Sequence, residues 1–333
     1  MTKFKKKSFI WIIIAVVAIP AIGFASLTTL KESDLQLGKL TGKPSASNNN
    51  ESSKGNAANK VSAGEQESIM SEFESIVNGI QSTRIIEAVT FINDNIAKLS
   101  EENASNMINT FEEAQKEYIK ELERKFYDIN IQESFAKCYM INFNIDDLEK
   151  TTDKSAKNLL EEIKSAGYKV ETAEGMFFPI IDYKFYKKYS SYLKPDLVDY
   201  INIMTVESEK VPVKDGALVI SWDEVVERAI NMYKFIEEHG TSVKADNIRT
   251  LLKERYFYYI FYGLDNTPLF SYDTKVMNPE AKTAYLKAAS NNAAQGIQKF
   301  LYDYMEILKD NDYKLTDSVI NFRENLKSQI AGR

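Results

Sequence analysis

The stretch Met107-Ile-Asn-Thr-Phe-Glu-Glu-Ala-Gln-Lys-Glu-Tyr-Ile-Lys-Glu-Leu-Glu-Arg-Lys-Phe126 decides the fold class. Met107, Ile108, Phe111, Ala114, Tyr118, Ile119, Leu122 and Phe126 recur at spacings of three and four. Glu, Lys and Arg fill the positions between. That is one apolar stripe on a long amphipathic helix. The same period runs upstream through Ile69, Phe73, Ile76, Val77 and Ile80. It continues through Ile85, Ile86, Val89, Ile92, Ile96 and Leu99, with Ser100 as a cap before Glu101 and Glu102. Downstream, a short helix is expected around Glu133 to Asn142 and another from Asp146 to Ala166, closed by Gly167. The fold class read here is mainly α, with helices arranged as a bundle or long hairpin.

The pattern changes at Gly167. Tyr168 to Thr172 alternates as a half-buried strand does, Ala173-Glu174-Gly175 suits a turn, and Met176 to Ile181 reads as the return strand. Pro179 marks that strand as an edge or marks its end. One small β-hairpin is therefore expected. Tyr183 to Tyr192 is an aromatic, Lys-rich helical segment, and Pro195 opens a helix through about Glu207. Residues Ser208 to Gly216 read as a loop. Ser221-Trp222-Asp223-Glu224 has the form of a capping box, starting a helix that runs to His239 and ends in a left-handed Gly240. A helix from Lys244 to Tyr262 is stopped by Gly263, and a loop spans Leu264 to Met277. Asn278-Pro279 opens a helix to about Lys309, and the last helix runs from Thr316 to Ile330.

The first thirty residues speak of location. Lys3, Lys5, Lys6 and Lys7 precede an uncharged stretch from Ser8 to Leu30, almost wholly apolar from Phe9 to Ala25. A basic head on such a run is an export signal rather than part of a soluble core. Two readings fit. A spanning helix needs about 20 apolar residues, which Ser8 to Leu30 supplies. A cleavable signal needs small residues at the cut, which Gly23-Phe24-Ala25 supplies. We take the retained single-pass anchor first and secretion after cleavage near Ala25 second. Both leave the lysines in the cytoplasm and export the rest. Residues 31–66 are rich in Ser, Asn, Gly and Lys and read as a disordered linker. The organisation expected is an anchor or signal over 1–30, a linker over 31–66, a helical hairpin or bundle over 67–166, and a helical domain with a hairpin over 167–333. The last two either stand apart or pack as one unit.

Composition narrows the function. The 333-residue chain carries 42 basic and 48 acidic side chains, a net charge of −6. Setting aside the four N-terminal lysines leaves 38 basic residues and a net charge near −10 for the exported part. Nucleic acid, which needs a basic stripe, is argued against. A single cysteine, Cys138, excludes an intrachain disulfide, and one histidine, His239, excludes a site built on several imidazoles. No cofactor or metal is expected. Ser134-Phe-Ala-Lys137 and Ser191-Tyr-Leu-Lys194 match S-x-x-K, but the companion elements of the serine enzymes are missing. Asp146-Asp147, Asp223-Glu224 and Glu237-Glu238 are adjacent pairs that point apart on a helix, so none is a prepared acid–base pair.

Aromatic density is the feature that suggests binding. Tyr256, Phe257, Tyr258, Tyr259, Phe261, Tyr262, Phe270 and Tyr272 crowd into seventeen residues. Tyrosine joins an apolar face to a polar edge and suits interfaces, although consecutive aromatics on a helix must largely be core. The candidate binding surface is Tyr256, Tyr259, Phe270, Tyr272, Phe177 and Phe178, with the contacts expected chiefly on the loop from Gly263 to Asp273 and the hairpin from Tyr168 to Ile181. Gly167 to Asp182 (GYKVETAEGMFFPIID) and Leu264 to Thr274 (LDNTPLFSYDT) resemble segments of uncharacterised exported or membrane-anchored proteins of low-GC Gram-positive bacteria. The resemblance covers the half of the chain from Gly167 and implies a location without a mechanism. The function expected is a membrane-tethered, extracytoplasmic, non-catalytic binding or structural protein. Its partner would be an envelope protein or wall component. The alternative is a hydrolase of wall polymers or peptides.

Overall fold

The computed structural model describes residues 60–78, 82–289 and 296–331. The expected export segment over 1–30 and the linker before Lys60 lie outside the described residues, as do Ile80 and positions 290–295. The described part is mainly helical, with small antiparallel hairpins. No described helix is long and apolar enough to cross a membrane.

Helices α1 (Ala63–Val77) and α2 (Ser82–Asn95) pack against α3 (Glu101–Phe126). Helix α1 begins earlier than its apolar stripe suggests. Ser62 and Glu65 form a reciprocal capping box there, and polar residues fill its first turn. At 26 residues, α3 is roughly 39 Å long. Its buried stripe holds the apolar residues read from sequence, and it also holds Glu112 and Gln115. After α3 comes α4 (Ile129–Asn142), whose inner face packs Phe135 and Tyr139 edge-on against Phe177. A 3-10 turn over Ile145–Lys150 precedes α5 (Lys154–Ser165), where the period alone suggested one helix from Asp146. Asp153 caps α5 and restarts it.

Strands β1 (Tyr168–Ala173) and β2 (Met176–Ile181) form the expected hairpin, pairing Tyr168 with Ile181 and Val170 with Pro179; Ala173, read from sequence as part of the turn, instead pairs with Met176. Gly167 enters β1 at φ +78°, and a Cβ there would press on the Gln115 amide. Gln132 of α4 closes the free edge of β2. Its amide donates to the Phe177 carbonyl (2.8 Å) and accepts from the Phe177 N–H (2.9 Å), as a neighbouring strand would.

Helices α6 (Tyr183–Tyr186) and α7 (Pro195–Glu209) lead to a second hairpin, β3 (Val213–Lys214) with β4 (Ala217–Leu218). That hairpin lies where the sequence reading has a loop. Helix α8 (Trp222–Glu238) has the Ser221 cap, but only half of the expected box. Glu224 turns instead to Lys210 and Arg228, each at 2.5 Å. His239 ends α8 without a left-handed Gly240 (φ −126° at His239). Helix α9 (Ala245–Leu251), a π turn over Leu252–Tyr256 and α10 (Phe257–Phe261) follow. A third hairpin, β5 (Gly263–Leu264) with β6 (Thr267–Pro268), occupies the start of the expected Leu264–Met277 loop. Helices α11 (Pro279–Ala289), α12 (Gly296–Asp310) and α13 (Asp317–Ala331) complete the chain.

Glu112 ties these parts together. Buried on α3, it accepts hydrogen bonds from the hydroxyls of Tyr183 and Tyr200, both at 2.6 Å. It pairs with buried Lys244 at 2.5 Å and with Lys116 at 3.0 Å. Next to it, the Gln115 side chain donates to the Ala166 carbonyl (2.6 Å) and accepts from the Tyr186 hydroxyl. The Tyr168 hydroxyl donates to the Gln115 carbonyl (2.8 Å). One helical turn of α3 thus holds β1, α6, α7 and the start of α9.

Burial alone would raise the Glu112 carboxyl, but Lys244 and Lys116 beside it, with hydrogen bonds from Lys244 and Tyr183, bring it from 4.5 down to about 2. A carboxyl depressed on folding stabilises the fold above its unfolded value, and that stability is lost as pH falls from about 4.5 through about 2. Glu112→Ala, which leaves buried Lys244 with only the exposed Glu113 at 3.6 Å, is expected to cost about 3–5 kcal/mol in urea unfolding. Glu112→Gln is expected to flatten the acid limb of stability against pH. Equal acid sensitivity in wild type and Glu112→Gln would contradict this assignment.

Candidate binding surface

The three hairpins come from distant parts of the chain and meet at their tips. Glu174 (φ +51°) and Gly175 (φ +75°) form the first turn, and Asp215 (φ +50°) and Gly216 (φ +71°) form the second. Two successive positive φ values define the turn whose twist matches a two-residue hairpin, and an acidic residue followed by glycine suits it. The middle hairpin, β3–β4, clasps the other two. The Asp215 carboxylate accepts from the Glu174 N–H at 2.8 Å. The Asp215 carbonyl accepts from the Asn266 side chain at 2.6 Å, and the Gly216 carbonyl accepts from the Asn266 N–H at 3.1 Å. The Thr267 hydroxyl accepts from the Leu218 N–H at 3.0 Å, and Lys214 pairs with Glu171 at 2.7 Å. Five interactions hold three turns in one row. Glu174, Asp215, Asp265, Asn266 and Met176 stay exposed along it.

The six aromatic residues singled out from sequence divide between core and surface. Tyr256 and Tyr259 are buried, because α10 and the π turn before it are enclosed by α8 and the last helices. Tyr256 donates to Glu207 at 2.5 Å, and Tyr285 bonds the Ile260 carbonyl at 2.7 Å. Phe270 is buried beneath the Arg323 guanidinium, which also bonds the Phe261 carbonyl. Phe177 is buried against Phe135 and Tyr139, and Phe178 is half-buried. Tyr272 is 64 % exposed and leans on the third hairpin, its hydroxyl donating to the Asp265 carbonyl at 3.2 Å. Of the six candidates, only Tyr272 is well exposed, and it stands beside the hairpin row. The missed part is β3–β4, for which Asp215-Gly216 is a short but specific turn signal.

A cleft of about 260 Å3 lies between α7 and α8. Asp199 lies beside His239 and Glu207 beside Arg228, so the two helices run antiparallel. Ile203, Met232 and Phe235 line it with Asn202, Asn231 and Glu238. Its charged groups are engaged with one another. Glu207 accepts from Arg228 (3.1 Å) and from Tyr256, and Arg228 also reaches Glu224. Burial pushes the Glu207 carboxyl up, against the opposing pull of Tyr256 and Arg228. His239, read from sequence as a helix-end residue, bonds Asp199 at 2.9 Å and packs on Phe235.

Ser134 bonds Thr151 (2.7 Å) while Lys137 faces Glu133, so that S-x-x-K pair is not assembled. Asp147 is held by Lys150 and Asn142. Among the described residues, no group of three or more His, Cys, Asp or Glu is placed to hold a metal ion. The chain matches no family model, no curated protein and no solved structure.

Asp215→Ala removes the carboxylate that receives the Glu174 amide. It is expected to lower stability by about 1 kcal/mol and to speed hydrogen exchange at the Glu174 and Asn266 amides. Unchanged exchange at both would show that the hairpins hold one another by other means. Phe270→Ala is expected to cost about 3–5 kcal/mol, against less than about 0.5 kcal/mol for Tyr272→Ala, as read by thermal or urea unfolding.

Proposed function

We propose that this chain is a membrane-tethered, extracytoplasmic binding protein of the bacterial envelope. The row of hairpin tips beside Tyr272 would contact an envelope protein or a wall component. The observation that carries the reading is the tip-to-tip clasp. Three separate turns are fixed by the Asp215 and Asn266 hydrogen bonds, so their outward groups keep one arrangement. Rigid presentation of this kind lowers the ordering cost of binding. The surface offers a tyrosine ring, the Met176 side chain and the carboxylates of Glu174, Asp265 and Asp273, with Lys275 as the exposed cation nearby. A partner segment carrying amides or basic groups next to an apolar side chain fits that chemistry. The basic head and apolar run at the N-terminus support the location, as does the resemblance to exported Gram-positive proteins.

A hydrolase would draw on the α7–α8 cleft, where Glu207 is the carboxyl raised by burial. Its partners favour a structural role: Arg228 and Tyr256 both donate to Glu207 Oε1 and tie the carboxylate into the helix packing. The cleft is also below the usual range of about 300–1,000 Å3 for small-molecule sites.

The test is photo-crosslinking in intact cells, with a benzophenone amino acid at Tyr272. Tyr302, a half-exposed tyrosine on α12, is the control position. A discrete adduct from position 272 that is absent from position 302 is expected. Equal or no labelling at both positions removes the surface from consideration. Intact mass and fractionation of the same cells are expected to give the full chain in the membrane.

A further inference from the structure

Helix α4 is apolar on two sides. Its inner side, with Ile131, Phe135 and Tyr139, covers β2. Its outer side carries Ile129, Met140 and Ile141, and Tyr127 and Phe143 flank the helix ends. All five side chains are between 65 and 72 % exposed. A helix apolar all round is ordinarily covered all round. Phe143 adds a second sign of a use for this face. It ends the helix in the left-handed region (φ +53°), where glycine is the unstrained choice, and its ring stays largely exposed although one edge meets Tyr139.

The order of residues along the outer side identifies what covers it. At 100° per residue, Ile129, Asn130, Glu133, Lys137, Met140 and Ile141 share a face about 120° wide. Taken about residue 135 as midpoint, the face is self-complementary. Tyr127 and Ile129 lie at one end, and Met140, Ile141 and Phe143 lie at the other. Acidic Glu133 and basic Lys137 stand at equal distances on either side of the midpoint. A two-fold axis at residue 135 lays a second α4 antiparallel on the first. Apolar end then meets apolar end at both extremes, and Glu133 of each copy meets Lys137 of the other twice. Such reciprocity is what a two-fold interface requires. Within one chain, Glu133 and Lys137 are 3.9 Å apart and both exposed, so little holds them from changing partners.

We propose that the outer face of α4 is a homodimer interface, with two copies of the chain paired antiparallel through this helix. It is independent of the hairpin surface proposed above. Five exposed side chains of this size bring on the order of 500 Å2 per copy, so a pair buries about 1,000 Å2, the lower bound of specific interfaces. The dimer is accordingly weak in dilute solution, and confinement on one membrane would populate it by effective concentration.

The test uses the full-length chain in its membrane, in a Cys138→Ser background that leaves no native thiol. Copies with Ile129→Cys under one tag are co-expressed with copies carrying Met140→Cys under another. In the antiparallel register these two positions face each other, while two copies of position 129 are about 18 Å apart along the helix. Oxidation is expected to give a mixed-tag dimer at least fivefold more abundant than the dimer from Ile129→Cys alone. Glu133→Lys is expected to reduce the mixed dimer severalfold, and adding Lys137→Glu to restore it, because the reversed charges again meet their opposites. Circular dichroism of the purified variants checks that they are folded. Equal cross-linking between two copies of position 129, or a mixed dimer indifferent to Glu133→Lys, overturns the proposal. So does labelling of this face by lipid or by another protein with no self-dimer in folded variants.

Discussion

A carboxylate placed in the middle of an apolar stripe constrains everything around it. Glu112 lies on the buried side of α3, where an unpaired charge is not tolerated. It is tolerated because Lys244, from more than a hundred residues away, and two tyrosine hydroxyls reach it. Their arrival fixes where α6, α7 and the start of α9 must lie relative to the first half of the chain. Apolar packing alone would allow these helices to slide or rotate by a ridge. A hydrogen-bonded ion pair with two phenolic donors allows one arrangement, because every alternative leaves a buried charge unmatched. Gln115, a turn along, does the same for the entrance to the β1–β2 hairpin.

Much of this architecture could be read from residue order, and the exceptions have physical causes. The stripe from Met107 to Phe126 lies in α3, and the two runs from Tyr168 to Ile181 are the strands of β1–β2, with a turn one residue tighter than the residue types suggested. Glu112 and Gln115 looked like solvated positions because only tertiary contact supplies their partners. The short hairpins at Val213–Leu218 and Gly263–Pro268 have strands of two residues, too brief for an alternating pattern. Bonds from one hairpin to the next supplement the few within each. The aromatic run from Tyr256 to Tyr262 cannot be assigned a face from sequence, since it supplies all faces. A central position between α8 and α12 makes most of it core. Of the surface expected around it, Tyr272 is the well-exposed member because it lies past Phe270, which carries the burial.

The chain also separates its surfaces. The hairpin row belongs to the region from Gly167 onward, and the outer face of α4 belongs to the segment following α3. Between them, α4 joins the two through its inner contacts with β2. Phe135 and Tyr139 make that joint by packing edge-on against Phe177.

The Gln132 amide has a consequence for how the chain folds. A segment must assemble among other unfolded segments, and Met176 to Ile181 is a hydrophobic strand with an open side. Left open, that side would accept any extended neighbour. One side-chain amide imitates the hydrogen-bonding edge of a strand and occupies the place first. Because the amide is carried on α4, the Phe177 position of that side is taken wherever the helix packs on β2. A helix side chain thus stands in for part of a third strand.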